Sequence, residues 1–197
     1  MEEIAFAEPL KINGMNVDPN PVVRLLSQTF PDYGEVYNWE NEKGDIMWIP
    51  TSIDKIPEIA DELEIKSGDR IYDLGSGDGR VLAGLVILSG GTIQCVGYEK
   101  RPTLVNLSKQ LLKNIGLDDR IGIRCKDILR EDLAELRRAT KVYCFLYDSM
   151  NLAVASQLEK YLPNSAIVLS RYYRMPRSWE KYSVQSKPDY HKFCIRR

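Results

Sequence analysis

The sequence predicts a doubly wound α/β fold with a mostly parallel, seven-strand sheet that ends in an antiparallel hairpin. From residue 51 onward, short apolar stretches of strand length alternate with longer stretches whose apolar residues follow a helical spacing. Repeated alternation of this kind is typical of a parallel sheet covered by helices on both faces. A glycine-rich run, DLGSGDGR at residues 73–80, follows the first of these strands, and the turn KPD at residues 187–189 joins the last two.

Each element of this domain has a local reason in the sequence. Apolar residues recur every three or four positions from Ile53 to Leu63, which predicts a helix. Pro102 suits the first turn of another helix, where its missing N–H costs nothing, and Gly116 suits the positive φ that ends it. The predicted strands are 70–74, 93–98, 121–125, 141–147, 166–170, 182–185 and 191–195, and the predicted helices are 53–63, 81–88, 102–115, 131–137 and 152–162.

The local sequence pattern of residues 1–45 differs from that of the rest of the chain. These residues are predicted to form an N-terminal extension packed on a domain that spans residues 46–197. Prolines and glycines break this extension into short pieces, with one helix predicted at residues 21–30. Aromatic residues crowd the approach to the domain, at Tyr33, Tyr37, Trp39 and Trp48. Such a stretch favours packing on the domain surface, and a flap that faces the substrate is the alternative.

Composition and charge narrow the function classes. A chain of 197 residues suits one domain that needs no disulfide or metal, and a formal net charge of -1 argues against nucleic acid as a partner. The cysteines fall in predicted strands without any CxxC pair, so we expect Cys95, Cys125, Cys144 and Cys194 to be buried small hydrophobes in a reducing compartment. With no signal peptide and no membrane-spanning run in the sequence, we expect a cytoplasmic protein without a membrane partner.

The glycine run at residues 73–80 carries the main functional signal. Gly75, Gly77 and Gly79 let the backbone bend tightly and let a ligand approach without interference from Cβ atoms. The run joins a strand to a helix at the carboxyl edge of the predicted sheet, where α/β folds bind their ligands. Glu99 ends the next strand, and its carboxylate is placed to accept hydrogen bonds from both hydroxyls of a ribose.

Charge decides between the two cofactor classes that use such a loop. A pyrophosphate-binding fingerprint has the spacing G-x-G-x-x-G, whereas this loop reads G-x-G-x-G and has Arg80 in the last glycine position. Asp73 and Asp78 repel a phosphate but suit the ammonium and sulfonium groups of S-adenosylmethionine. We therefore expect S-adenosylmethionine as the cofactor, with a nicotinamide oxidoreductase as a remote alternative.

Asp127 and Ile128 follow the third predicted strand and extend this site. The carboxylate of Asp127 is placed to bond the adenine amino group, while Ile128 packs on the adenine face. The alternative is an ordinary helix-capping aspartate ahead of Glu131. Because the glycine loop and Glu99 occupy the matching positions on the neighbouring predicted strands, contact of Asp127 with the cofactor is favoured.

The run IYDLGSGDGR at residues 71–80 resembles the first motif of class I, Rossmann-like protein-lysine methyltransferases, namely the small archaeal enzymes and their relatives that methylate the ATP-synthase c subunit. The resemblance extends from about Trp48 to the C-terminus. It implies that a segment containing Pro50 and Thr51 closes over the cofactor. The complete predicted cofactor-binding set is Pro50, Thr51, Asp73, Gly75, Ser76, Gly77, Asp78, Gly79, Glu99, Lys100, Asp127 and Ile128.

The resemblance also implies that the methyl acceptor is a lysine side chain of a protein substrate. Tyr147, Tyr172 and Tyr173 are the candidates for lining the acceptor channel, with plain core packing or surface exposure as the alternative for each. The lysine must lose a proton before it attacks, and because loss to water along an open channel suffices, no dedicated base is needed. The family commonly has Ser-His-Asp after the fifth strand, where this chain has Ser170, Arg171 and Tyr172. A small-molecule or RNA methyltransferase and a non-catalytic cofactor-binding module therefore stay as alternatives. We expect a monomer.

Two further polar residues, Asp148 and His191, lie outside the predicted cofactor-binding set. Asp148 is predicted to cap the helix that begins near residue 151, and the alternative is that it points into the cofactor pocket and orients an amine. The single histidine, His191, lies in the predicted hairpin, and a lone strand histidine is more often structural or exposed than catalytic.

Overall fold

The computed structural model describes residues 10–12, 15–32 and 48–197. The predicted boundary near residue 45 and the aromatic residues Tyr33, Tyr37 and Trp39 lie outside the described residues. The strands are β1 (Leu10–Ile12), β2 (Met15–Val17), β3 (Arg70–Leu74), β4 (Gln94–Glu99), β5 (Ile121–Cys125), β6 (Lys141–Cys144), β7 (Ile167–Arg171), β8 (Ser183–Ser186) and β9 (Tyr190–Cys194). The helices are α1 (Asn20–Thr29), α2 (Ile56–Glu62), α3 (Arg80–Leu88), α4 (Pro102–Asn114) and α5 (Asp148–Tyr161), with 3₁₀ turns at Ile53–Lys55, Ala134–Arg138 and Arg177–Tyr182.

The main sheet has seven strands in the order β5-β4-β3-β6-β7-β9-β8. The first five of these pair in parallel, whereas β9 pairs antiparallel with both β7 and β8. This arrangement confirms the predicted fold class, including the antiparallel hairpin at the end of the sheet. From β3 the chain builds outward through β4 to β5, and it then returns to add β6 on the other side of β3. The crevice at this switch point is where such sheets bind ligands.

Apolar side chains cover both faces of the sheet, as the alternation along β3 requires. Ile71 belongs to a core cluster with helices α1 to α4, whereas Tyr72 and Leu74 belong to a second cluster with α5. Because successive side chains of a strand point to opposite faces, one five-residue strand serves both clusters. The sheet is therefore a buried central layer.

Helix α1 belongs to the first core cluster and packs closely against α3. Leu26 of α1 is fully buried, and it lies where a Cβ on Gly84 of α3 would come within 3.0 Å of its Cδ1 atom. The same Cβ would lie 2.4 Å from Cγ2 of Ile56 in α2. The missing side chain at position 84 thus lets three helices meet.

Several element boundaries differ from the predictions. Strand β6 ends at Cys144 because its neighbours β3 and β7 end their pairing there, so the chain that follows borders the ligand crevice instead. Helix α5 begins at Asp148, after the N-cap residue Tyr147, and no side chain caps it, so the capping role predicted for Asp148 is wrong. The helix predicted at 131–137 is only the 3₁₀ turn Ala134–Arg138.

The cysteine prediction is correct only in part. Cys95 and Cys144 are buried, whereas Cys194 is half-buried and Cys125 is exposed near the end of an edge strand. His191 is buried, and its ring nitrogens contact the Ser186 hydroxyl at 2.7 Å and a backbone carbonyl at 3.2 Å. Within the described ranges, no helix is long and apolar enough to cross a membrane. No group of three or more His, Cys, Asp or Glu side chains in those ranges is arranged to hold a metal.

Candidate functional site

A cavity of about 310 Å³ opens at the carboxyl ends of β3, β4, β5 and β6. Its volume falls at the lower end of the range for small-molecule sites. Ten of the twelve predicted cofactor-binding residues line it together: Pro50, Thr51, Asp73, Gly75, Ser76, Asp78, Glu99, Lys100, Asp127 and Ile128. The cavity therefore collects positions that are far apart in the sequence, because all of them except Pro50 and Thr51 lie at or just after the carboxyl end of a neighbouring strand.

The glycine loop after β3 is tied to the neighbouring strand and takes a left-handed backbone. Gly75, Gly77 and Gly79 have φ values of +87°, +54° and +84°, which side chains with a Cβ rarely adopt. The backbone N–H groups of Gly75 and Ser76 both donate to the Tyr98 carbonyl, at 2.8 and 3.0 Å. Tyr98 lies in β4, so the loop is held at the edge of the sheet by its neighbour.

Gly77 and Gly79 do not line the cavity, although they were predicted to bind the cofactor. A Cβ on Gly77 would lie 2.4 Å from Nε1 of Trp48, so the indole ring covers this part of the loop. Gly79 is the N-cap of α3 and faces Ser108. Trp48 itself lines the cavity.

Asp73 places a buried carboxyl group in the cavity wall. Its side chain is only 2% exposed, and no hydrogen bond to it comes from the described part of the chain. Burial raises the pKa of Asp73 well above its usual range, and the nearby carboxylates of Glu99 and Asp78 raise it further. A cation at this point of the cavity would favour the ionised form and offset that penalty.

Asp78 is paired with Arg80, which alters the electrostatic argument made from sequence. Arg80 Nη2 donates to Asp78 Oδ2 at 2.7 Å, and Nε donates to both carboxylate oxygens at 3.1 and 3.0 Å. The same guanidinium donates to the carbonyls of Pro31 at 2.9 Å and Thr51 at 3.4 Å. The charge of Asp78 is therefore balanced within the protein, and Arg80 joins the loop to two distant segments.

Glu99 ends β4 with both carboxylate oxygens engaged by backbone N–H groups. Gly77 N donates to Oε2 at 3.2 Å, and Arg101 N donates to Oε1 at 2.9 Å. A carboxylate has about four acceptor positions, so two remain for a ligand. The side chain thus fixes the glycine loop and still presents acceptors to the cavity.

Asp127 and Ile128 form the opposite wall, in a turn that follows β5. Asp127 Oδ1 accepts a hydrogen bond from Leu129 N at 2.9 Å, and Asp127 N donates to Glu131 Oε1 at 2.8 Å. Asp127 therefore does cap local backbone, but it caps a turn rather than the predicted helix. Ile128 is buried against the cavity, and Lys126 Nζ lies 5.3 Å from the centre of the Tyr98 ring.

The far end of the cavity is aromatic. The rings of Tyr147 and Tyr173 lie 5.2 Å apart, and Phe145 and Tyr143 line the same end. The Tyr143 hydroxyl lies 3.3 Å from Thr51 Oγ1, and burial raises the pKa of that tyrosine. This region presents ring faces and few charges, which suits a group that must shed water.

Of the three predicted channel residues, the structure brings Tyr147 and Tyr173 to the cavity, whereas Tyr172 does not line it. Tyr172 is 44% exposed and lies behind the wall, with its ring edge-on to Phe145 at 5.6 Å. Its φ of +59° turns the chain so that the next residue, Tyr173, reaches the cavity instead.

Sequence reasoning also missed several residues of the wall, including Trp48, Arg80, Tyr98, Arg101, Lys126, Phe145 and Met150. Arg80 was considered only as the absence of a glycine. An arginine two positions after an aspartate, inside an otherwise apolar and glycine-rich stretch, is the signal that would have revealed the ion pair.

Comparison with known proteins agrees with the family resemblance described from the sequence. The family model of the ANTKMT methyltransferase domain matches residues 73–182, more than half of the chain. Among curated proteins, none matches the chain significantly.

Among solved structures, an RNA methyltransferase from Salinibacter ruber in complex with S-adenosyl-L-homocysteine is similar, with a TM-score of 0.65 and 27% identity over 75% of this chain and 94% of that chain. A geranyl diphosphate methyltransferase in complex with GPP and sinefungin has a TM-score of 0.53 and 15% identity over 60% of this chain and 44% of that chain. An S-adenosylmethionine-dependent O-methyltransferase from Thermotoga maritima has a TM-score of 0.50 and 24% identity over 66% of this chain and 47% of that chain.

These last two share the fold alone, and this chain spans less than half of their length. The sheet order, the cavity at the switch point and the family match agree with one another. The chain belongs to the ANTKMT methyltransferase domain family and is a class I S-adenosylmethionine-dependent methyltransferase.

Proposed function

We propose that this enzyme methylates lysine side chains of a protein substrate. The observation that carries the proposal is the aromatic end of the cavity, where Tyr147 and Tyr173 form a pair beside Phe145. An aromatic face stabilises an ammonium group by roughly 0.5–2 kcal/mol, and it also removes water from the group. The family match supports the same acceptor class.

Individual residues of the cavity wall suit the separate chemical groups of the cofactor. Asp73 is the buried carboxylate for the ammonium group, and Glu99 keeps acceptor positions for the ribose hydroxyls. Ser76 also lines the cavity, and its hydroxyl is buried beside Gly97 without a hydrogen-bond partner in the described part of the chain. We assign the adenine to the wall made by Asp127 and Ile128, as the sequence predicts.

When bound, S-adenosylmethionine supplies an electrophilic methyl group on a sulfonium. The protein's own contribution is to align the acceptor with that methyl group and to exclude water, which together can account for most of the acceleration. Tyr143 and Phe145 exclude water from the acceptor, because Tyr143 is buried and Phe145 is half-buried at the far end of the cavity.

The acceptor amine must be neutral when it attacks, although a lysine in water has a pKa of about 10.4. Burial in a weakly polar channel can lower the pKa of an amine by up to about 3–5 units, because burial disfavours the charged form. This exceeds the rise of about 0.4–1.5 units in the pKa that the attraction of the rings for the ammonium group causes. The proton then leaves to water outside the channel, and no base has to be positioned beside the nitrogen. Tyr147 and Tyr173 hold the amine in line with the methyl group.

The experiment is to incubate the enzyme with methyl-labelled S-adenosylmethionine and cell lysate, and to locate the label by mass spectrometry. We expect label on lysine residues of protein. The variant Tyr173→Ala should lower the rate about 2- to 30-fold, the range that corresponds to 0.5–2 kcal/mol for an aromatic contact to an amine. The matched control is Tyr172→Ala, which removes the adjacent ring outside the cavity and should change the rate less than about twofold. Equal losses in the two variants would contradict this assignment of the acceptor end.

A second candidate is RNA methylation, and one observation favours it. The similar structure from Salinibacter ruber is that of an RNA methyltransferase, and this chain covers 94% of it at 27% identity. The same incubation separates the candidates, because ribonuclease treatment removes label from RNA and leaves label on protein. Label found in RNA alone would replace the lysine proposal.

A further inference from the structure

Asn151 is a fully buried polar residue that no step of the proposed reaction uses. It lies in the first turn of α5, at the carboxyl edge of the sheet, and its exposed fraction is 0%. It does not line the cavity, so it has no contact with either substrate. A fully buried side-chain amide requires hydrogen-bond partners, and those partners indicate what the residue does in the structure.

The partners of Asn151 include both tyrosines of the aromatic pair. Its backbone N–H donates to the Tyr147 carbonyl at 2.9 Å, which is the helical bond that any residue at this position of α5 would make. Its side-chain Nδ2 donates to the Tyr173 carbonyl at 3.2 Å and to the Arg174 carbonyl at 3.3 Å. A single residue therefore connects the start of α5 to the turn that follows β7, and one tyrosine of the pair stands on each.

The turn after β7 needs such support because its backbone is strained. Tyr172 has a φ of +59°, in the left-handed region that residues with a Cβ rarely adopt. Tyr173 N donates to the Arg171 carbonyl at 2.7 Å, which closes a tight turn. The Ser170 hydroxyl donates to the Tyr173 carbonyl at 2.6 Å and also receives Asn151 Nδ2 at 3.1 Å.

We propose that Asn151, together with Ser170, is a positioning residue that sets the spacing of Tyr147 and Tyr173 at the acceptor end of the cavity. The meaning of that spacing for the acceptor rests on the proposed function. The amide donates to carbonyl oxygens without bringing a charge into the core, which a lysine or arginine would do. The predicted consequence is that Asn151 controls acceptor use and leaves cofactor binding alone, because Asp73 and Glu99 lie on β3 and β4 and Asp127 lies in the turn after β5.

The test compares Asn151→Leu with Ser170→Ala and with a control far from the cavity. The control is Thr140→Val, because the Thr140 hydroxyl donates to Asp69 Oδ1 at 2.7 Å near the opposite edge of the sheet. This change removes a partly buried hydrogen bond near the amino ends of β3 and β6, so it reports on lost stability alone. Ser170→Ala removes one hydrogen bond of the network and is the milder change if Asn151→Leu does not fold.

Two readouts are needed. The first is ¹⁹F NMR of the free enzyme labelled with 3-fluorotyrosine, in which the Tyr173 signal is assigned by its loss in Tyr173→Phe. The second is the amount of lysate protein that gives half-maximal labelling, measured beside the Kd for S-adenosylmethionine. We expect Asn151→Leu to shift the Tyr173 signal and to raise the half-maximal amount about 10-fold, with the Kd within about twofold of its normal value. Ser170→Ala should show a smaller change of the same kind, and Thr140→Val neither change.

An unmoved Tyr173 signal in both network variants would overturn the proposal, as would a Kd for the cofactor that rises in step with the half-maximal amount. If the unaltered enzyme labels no protein at all, the proposed lysine activity fails. The NMR comparison still decides the positioning role in that case, because it uses the free enzyme.

Discussion

The substitution Asp73→Asn is expected to stabilise the free enzyme and to weaken cofactor binding. The asparagine keeps the shape of the side chain and removes its charge. In the folded protein the pKa of Asp73 is raised well above the unfolded value of 3.8 by burial and by the carboxylates of Glu99 and Asp78. An acid with a raised folded pKa costs stability as the pH rises from its unfolded pKa through its folded pKa. At neutral pH this cost is present in the normal enzyme and absent in the variant.

The loss in cofactor affinity follows from the contact that Asp73 makes in the proposed binding mode. A hydrogen bond between a carboxylate and an ammonium group contributes about 1.5–3 kcal/mol, so its removal weakens binding about 10- to 150-fold. Stability and affinity therefore change in opposite directions. Thermal unfolding of the free variant measures the first, and calorimetric titration with S-adenosylmethionine measures the second.

The matched control is Asp69→Asn, a second buried aspartate at the amino edge of the sheet. Asp69 accepts hydrogen bonds from Lys66 N at 2.7 Å and from the Thr140 hydroxyl at 2.7 Å, so its charge is stabilised by partners. This variant should be less stable than the normal enzyme and should bind the cofactor with unchanged affinity. If Asp73→Asn behaves in the same way as Asp69→Asn, the reasoning about the cofactor carboxylate is refuted.

Two further predictions concern stability. Alanine at Gly84 gains about 1 kcal/mol of helix propensity, but its Cβ would lie 2.4 Å from Ile56 Cγ2 and 3.0 Å from Leu26 Cδ1. We therefore expect Gly84→Ala to lower the free energy of unfolding, measured in urea, by about 1–2 kcal/mol. A more stable variant would contradict this account of the packing. Burial lowers the pKa of His191 below the unfolded value of 6.5, so the stability that its neutral ring contributes is complete above pH 6.5 and is lost as the pH falls through that value toward the folded pKa. His191→Gln should flatten this part of the curve of unfolding free energy against pH, and an unchanged curve would show that His191 does not cause it.

The sequence was sufficient to predict the sheet and to bring together the carboxylates Asp73, Glu99 and Asp127, which line the cavity. Strand β3 and the loop after it are local patterns, because a short apolar stretch, an aspartate and three glycines lie within ten residues. Glu99 and Asp127 could be added because each ends or follows a strand next to β3 or β4, and parallel strands bring their carboxyl ends to one edge. These positions depend on chain order alone.

The features that escaped prediction depend on contacts between distant segments. The partners of Arg80 include the Pro31 and Thr51 carbonyls, and no local pattern relates these positions to the glycine loop. The choice between Tyr172 and Tyr173 depends on one backbone angle, the φ of +59° at Tyr172. Neighbouring residues in an extended chain face opposite ways, so a single unexpected turn exchanges the residue that faces the cavity for its neighbour.

The pairing of Asp78 with Arg80 changes what the glycine loop tells about the cofactor. From sequence, two carboxylates oppose a phosphate and favour a cation. In the structure the guanidinium of Arg80 balances Asp78, so the unbalanced negative charge at the loop comes from Asp73 and from Glu99. Glu99 is also committed to the backbone of the loop, through Gly77 N. In the proposed binding mode, recognition of the cofactor's positive charge therefore rests mainly on Asp73, and we expect its replacement by asparagine to separate binding from folding.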